Sequence, residues 1–147
     1  NSLEMRITSL EDRVMIIEDD LDMMANAAVS VLAQGRTQPA PSSLSDFSIT
    51  VIDSHSAFSG NLFTAPADAK YFVSFYCFGP NFGAYVEIQK NGVNVLAGSQ
   101  STAGLTWGFS GMVDLSIGDT LGAWGLQNYT LGGASQNSGL SIFSTNI

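Results

Sequence analysis

Apolar residues return along the start of the chain at alternating spacings of four and three: Leu3, Ile7, Leu10, Val14, Ile17, Leu21, Met24, Ala28 and Val31. A helix packed on its own domain carries a wider stripe that drifts, whereas strict alternation is the seam of a coiled coil. The pattern predicts a helix from about residue 2 to residue 33, with Gly35 as its C-terminal stop. At ~1.5 Å per residue that is a rod of ~50 Å. Ile7, Val14, Leu21 and Ala28 take the a positions, and Leu3, Leu10, Ile17, Met24 and Val31 take d. Arg6 and Arg13 then fall at g, and Glu4, Glu11 and Glu18 at e. In a parallel bundle a g residue faces the e residue of the next heptad on a neighbour, so Arg6 meets Glu11 and Arg13 meets Glu18. An antiparallel bundle would set like charges together. Such exposed pairs contribute roughly 0.2–1 kcal/mol each, which sets direction more than strength. Met15, Ile16 and Met23 lie off the seam.

From Phe47 the period changes from 3.5 to 2. The alternation predicts strands at 47–52, 57–63, 70–78, 84–90, 93–98, 105–117, 119–127 and 139–146. Between stalk and strands, residues 35–46 read as an extended linker, with Pro39 and Pro41 forbidding helix. Asn91-Gly92 between two apolar runs is a two-residue hairpin signal, because both residues accept positive φ. Ser116-Ile117-Gly118-Asp119 reads as another turn. Short strands, frequent Gly and no helical period mean a sandwich or jelly roll. The fold expected is mainly β: a C-terminal jelly-roll knob, residues 47–147, behind an N-terminal parallel coiled coil, residues 1–34. Strand 70–78 is apolar on both faces, with Tyr71, Val73, Phe75 and Cys77 on one and Phe72, Ser74, Tyr76 and Phe78 on the other. One face is expected to fill the sandwich and the other to pack on neighbouring copies. Tyr71 and Phe75 are assigned to that intersubunit contact. Alternation over 84–89 puts Ala84, Val86 and Ile88 inward.

Two resemblances sharpen this. Ile or Val at a with Leu at d favours two strands, while Ile17 at d favours more. Arg6-Ile7-Thr8-Ser9-Leu10-Glu11 and Arg13-Val14-Met15-Ile16-Ile17-Glu18 resemble the Arg-apolar-x-x-apolar-Glu signature of short parallel trimeric coiled coils. The resemblance implies three copies, joined through Leu3, Arg6, Ile7, Leu10, Glu11, Arg13, Val14, Ile17, Glu18, Leu21 and Met24. The body is similar to the globular heads of the complement q and tumour-necrosis-factor superfamily. Phe63-Thr64-Ala65-Pro66-Ala67-Asp68-Ala69-Lys70-Tyr71-Phe72-Val73-Ser74-Phe75 resembles the F-x-x-P-x-x-G-x-Y-x-F entry of those heads. Val86–Gly92 resembles the next strand and its K-N-G turn, Gly111–Asp119 the G-x-V-x-L-x-x-G-D stretch, and Ser138–Phe143 the closing strand. The match runs in order over about residues 57–145, with Ala69 where the family usually has Gly. It implies a jelly roll of about ten strands or fewer that trimerises through an aromatic inner sheet, with loops shorter than in animal heads.

Charge and chemistry narrow the function. The net charge is −8, which argues against nucleic acid, whose binders neutralise phosphates with Lys and Arg. Residues 1–36 hold seven acids and three Arg, and the other 111 hold six acids and two Lys. The body is therefore kept in solution by Ser, Thr, Asn and Gly. One Cys excludes an internal disulfide. No apolar run is long enough to cross a membrane as a helix, and no secretory leader is legible. Because the heptads are already running at Leu3 and the first residue is Asn, the chain reads as a C-terminal fragment of something longer or as a processed chain.

Catalysis has little to stand on. Asp53-Ser54-His55-Ser56 holds triad residue types, but a triad is assembled in space rather than along a strand. There is no phosphate loop, no HExxH and no paired-Cys spacing, so neither metal nor cofactor is expected. Asp53, Asp68, Asp114 and Asp119 sit in no ligand-dense loop. Cys77, between aromatics in mid-strand, is a buried structural thiol. Binding fits better, through loops 79–83, 98–108 and 127–138, where Asn81, Trp107, Asn128 and Tyr129 set aromatics beside amides, a pairing suited to sugar rings. Trp124, inside a strand, is expected to pack. The sequence thus predicts a non-enzymatic homotrimer, read as a bacteriophage fibre or decoration protein on the virion. It would join other virion proteins through its N-terminus and touch a host-surface glycan. The alternative is a secreted trimeric ligand-binding module of the same superfamily.

Overall fold

A computed structural model describes residues 1–25, 28–35, 43–79, 85–99, 105–127 and 138–144. The chain opens with one helix, α1, Ser2–Ala25. Asn1 caps it, its side-chain Oδ1 accepting the Glu4 N–H at 2.9 Å. Eleven strands follow among the described residues: β1 Val29–Gln34, β2 Ser43–Leu44, β3 Ile49–Asp53, β4 Phe58–Ser59, β5 Leu62–Thr64, β6 Ala69–Gly79, β7 Tyr85–Lys90, β8 Val93–Ser99, β9 Leu105–Leu115, β10 Thr120–Gln127 and β11 Gly139–Ser144.

The helix stops about two turns short of residue 33. Val29–Gln34, expected to continue it, is instead a strand whose alternate residues Val29, Val31 and Ala33 are buried. Val31, placed at a d position by the heptad count, is 2% exposed inside the sheet sandwich. The reason is that Val29-Ser30-Val31-Leu32-Ala33 satisfies both periods over so short a span. Pairing with β11 and β3 on either side buries more than one further heptad would. The head thus begins at Val29 rather than Phe47. Ser43 and Leu44, expected in the linker, pair with β10. The expected strand 57–63 is a hairpin, β4 and β5, because Gly60 and Asn61 adopt positive φ and turn the chain. These additions take the strand number to eleven, above that implied by the resemblance.

Two sheets face each other. One has the order β3-β1-β11-β6-β9 and the other β4-β5-β10-β7-β8, with β2 beside β10. Every pairing recorded is antiparallel. The core between them takes Val29, Val31 and Ala33 from β1, Leu140 and Ile142 from β11, and Leu121 and Ala123 from β10. Val86 and Ile88 on β7 point inward, in the phase the sequence predicts. Its aromatic centre is a set of edge-to-face contacts: Phe63 on Tyr71 at 5.4 Å, Phe75 on Phe47 at 6.5 Å and Phe75 on Trp107 at 6.0 Å. The Tyr71 hydroxyl donates to the Ala67 carbonyl at 2.8 Å, so its burial strands no polar group. Burial pushes the Tyr71 phenol up, the Ala67 bond offsets this in part, and Asp68 adds to it.

At the end where the chain enters at Val29, the two turns read from the sequence interlock. The Asn91 side chain donates to Asp119 Oδ1 at 2.9 Å and accepts the Thr120 N–H at 2.9 Å. Asp119 Oδ2 accepts the Ser116 N–H, and Asp68 Oδ1 accepts the Ile117 N–H. Lys90 Nζ donates to the Asp114 carbonyl and lies 3.4 Å from Asp119. Asn91 and Gly92 both have positive φ, as the hairpin signal requires.

Candidate functional site

Strand β6 has two apolar faces, and the structure decides which is which. Tyr71, Val73, Phe75 and Cys77 are all within 1% of full burial inside one chain. Tyr71 and Phe75, assigned from the sequence to the contact between copies, are therefore core residues and cannot reach a neighbour. The outward side belongs to Phe72, Ser74, Tyr76 and Phe78. Alternation alone separates two faces of a strand without saying which one the second sheet will cover.

Register builds the outward surface in rows. Phe72 lies between Phe143 on β11 and Met112 on β9. The Phe72 and Phe143 ring centroids are 5.3 Å apart, and Phe143 and Met112 remain 46% and 59% exposed. With Lys70 and Ser144 they line a shallow depression of about 330 Å³. The next row is Ser141, Ser74 and Ser110. Beyond it Tyr76 lies between Gly139 and Gly108. A Cβ at Gly139 would come within 2.6 Å of the Tyr76 hydroxyl, so the ring needs that bare backbone to lie across. Gln34 Nε2 donates to the Tyr76 hydroxyl at 3.0 Å. Toward the β3 edge, Ile49, Val51 and Ile52 are also exposed. A closed sandwich core leaves no internal use for so much apolar surface, and patches of this kind mark interaction sites. The sequence signal was present in the second apolar face of 70–78, and Phe143 and Met112 belong to it only through long-range pairing.

On α1 the seam residues Leu3, Ile7, Leu10, Val14, Ile17 and Leu21 are exposed to between 47% and 61% within one chain. The structure carries a helix with an uncovered seam. Met24 lies in its last turn.

The loop residues proposed for ligand contact fare differently. Asn81, Asn128 and Tyr129 lie outside the described residues. Trp107 faces the interior, stacked on Phe109 at 6.2 Å and edge-on to Phe75, so it is no surface platform. Its buried indole N–H has no hydrogen-bond partner among the described residues. Trp124, expected to pack, does so in part: it lies half-buried on the outward side of β10 beside Leu44 and Leu62, because the core positions on that strand are Leu121 and Ala123. The strand ends Gln34, Gly79, Tyr85, Ser99, Leu105, Gln127 and Gly139 all lie at the end of the sandwich away from Val29.

The triad-like run does not assemble. The Asp53 carboxylate accepts the Ala57 and Phe58 N–H groups at 2.7 and 3.0 Å and so is spent on its own turn. Ser54 Oγ lies 2.8 Å from His55 Nδ1 and also accepts the Ser30 N–H at 2.9 Å. That pair sits beside the start of β1, and among the described residues no carboxylate bonds to the ring. Burial pushes the Cys77 thiol up to about 12, the opposite of what a nucleophile needs. Among the described residues, no group of three or more His, Cys, Asp or Glu is placed to hold a metal. None of the described helices is long and apolar enough to cross a membrane.

No protein-family model matches the chain, and no curated protein matches it in sequence. Solved structures do share its shape. The globular domain of zebrafish complement 1qA superposes with a TM-score of 0.57 at 15% identity, over 80% of this chain and 93% of that one. GITRL from bushbaby superposes with a TM-score of 0.50 at 14% identity, over 80% of this chain and 96% of that one. The superposition takes in nearly all of each of these two heads. At such identities the likeness establishes one thing: the chain carries a jelly-roll sandwich with the architecture of complement-1q and GITRL heads.

Proposed function

We propose that this chain is a homotrimeric, non-enzymatic ligand-binding module, in which three heads meet through the outward face of the β3-β1-β11-β6-β9 sheet. The observation that carries the reading is the apolar patch of Phe72, Phe143 and Met112 left open on a sandwich whose core is already complete. The α1 seam supports it. Leu3, Ile7, Leu10, Val14, Ile17 and Leu21 would close in a parallel three-stranded coil, with Arg6 opposite Glu11 and Arg13 opposite Glu18. Helix and head are separated only by residues 26–28, so one axis serves both contacts. Trimeric display multiplies weak single-site binding by avidity. The complement and GITRL likeness favours this reading over a virion part.

The test is sedimentation equilibrium of the chain. Three times the 15.5 kDa chain mass is expected, and Phe143→Glu with Met112→Glu should weaken the assembly while far-UV circular dichroism stays unchanged. A monomer or dimer of the parent chain overturns the reading. A bacteriophage fibre or decoration protein built on the same trimer is the second reading, favoured by the open-seamed helix ahead of a charge-poor head. Virion genes beside this one, with antibody labelling of particles, would establish it.

A further inference from the structure

The outward face of the other sheet has its own pattern. Antiparallel register sets Trp124 of β10 beside Glu87 of β7 on one side and Leu44 of β2 on the other, and sets Gly122 beside Gln89. Gly122 is bare because leucines fold over it. A Cβ there would come within 2.7 Å of Leu44 Cδ1 and 2.8 Å of Leu62 Cδ2, with Trp124 Nε1 at 3.7 Å. Trp124, Leu44 and Leu62 therefore form an apolar floor.

A polar ladder runs alongside. The Tyr85 hydroxyl donates to Glu87 Oε1 at 3.3 Å, and Gln89 Nε2 donates to Glu87 Oε2 at 3.0 Å. Each carboxylate oxygen is held by one neutral donor and keeps accepting capacity, and the Tyr85 oxygen and Gln89 carbonyl can accept as well. Desolvation, and then the Glu87 charge, push the Tyr85 phenol up from its ordinary value.

This arrangement selects a ligand class. An anionic sugar would meet the Glu87 carboxylate on a head with six acids and two Lys after residue 36. Of those, Lys90 is occupied with Asp114 and Asp119, and Lys70 belongs to the opposite sheet. What fits is a neutral ring with a C–H face for the indole and hydroxyl donors for the ladder. We propose that the outward face of the β4-β5-β10-β7-β8 sheet binds a neutral glycan, one hexose ring stacking on Trp124 with its hydroxyls bonded to Glu87 and Gln89. This rests on the binding-module reading but not on the trimer. The face lies across the sandwich from Phe72 and Phe143, so it stays open when copies join and is displayed three times outward.

The test is calorimetric titration of the full chain with cellohexaose, laminarihexaose, maltohexaose and chitohexaose. Binding to at least one is expected, unchanged between 0.05 and 0.5 M salt. Trp124→Ala and Glu87→Gln should each weaken it tenfold or more, while Trp107→Phe leaves it intact. Should Trp124→Ala not fold, Glu87→Gln and Gln89→Ala, which leave the apolar floor in place, carry the same expectation. Binding to none of the four overturns the proposal, as does binding that Glu87→Gln leaves unchanged, or binding confined to an oligolysine or heparin probe and abolished by salt. Sedimentation of the same samples reports the trimer separately, so loss of one reading is not mistaken for loss of the other.

Discussion

At the scale of single residues, Asn91 does more than turn the hairpin. Its side chain ties the β7–β8 turn to Asp119 and Thr120 across 28 and 29 residues of sequence. Asn91→Ala should lower stability by about 1–2 kcal/mol, read in a urea titration, since three hydrogen bonds go and the positive φ is kept at a cost. The same bonds set a pH dependence. The Asn91 amide, then the Ser116 N–H, hold the Asp119 carboxyl below the usual carboxylate range. A carboxyl lowered by folding adds stability above its unfolded pKa of about 3.9 and loses it as pH falls through the lower folded value. Melting temperature should drop on acidification below about pH 4, and less steeply in Asn91→Ala. Cys77 gives the opposite case. Its thiol is raised from 9.0 to about 12 by burial, so stability should fall as pH rises through that interval. A thiol reagent at pH 8 should leave the native chain unlabelled and label it fully in denaturant. The residue types were legible in the sequence; the pairing of Asn91 with Asp119 was not, because it needs two turns brought together by the sheet.

At the scale of elements, the informative stretch is Val29–Gln34. It fits a heptad seam and a strand equally well, and α1 gives way to β1 because two neighbouring strands are there to receive it. Val31→Asp therefore tests which element it is. In a stalk it would loosen one heptad; in β1 it places a charge in the core and should cost about 3 kcal/mol or more, unfolding the head at room temperature. Gly108→Ala is a second element-scale test. The added methyl would strike the Phe75 carbonyl and the Tyr76 backbone, so β6 and β9 could not keep their spacing, and a melt lowered by several degrees is expected. The strands of 70–127 lie within a few residues of their expected places, because period-2 alternation and the Asn91-Gly92 turn are local signals. The split of 57–63 into β4 and β5 was less so, since Gly60-Asn61 is brief enough to pass for a bulge.

At the scale of the molecule, the proposed assembly rests on surfaces that one chain leaves uncovered. Three residues join α1 to β1, so in the proposed trimer the α1 seam and the Phe72–Phe143–Met112 face would each raise the effective concentration of the other contact. Ile17→Asp should split the stalk and lower the dilution at which the assembly dissociates, without changing the melting of the head's core. A chain cut at residue 46, by contrast, lacks β1 and β2, and should fail to give the cooperative unfolding of the parent.

The heptads, the Asn91-Gly92 turn, the poverty of charge and the alternation of 70–90 settled by themselves that the chain has a helix with a seam and a β-rich body, because each is written in spacings of a few residues. Which face of β6 lies inward, where the helix ends, that Trp107 lies on the inward side of its strand and Trp124 on the outward side of its own, and which residues meet around Glu87 were decided only when the sheets closed. Those outcomes depend on which strands become neighbours, and neighbours in a sandwich come from distant parts of the chain.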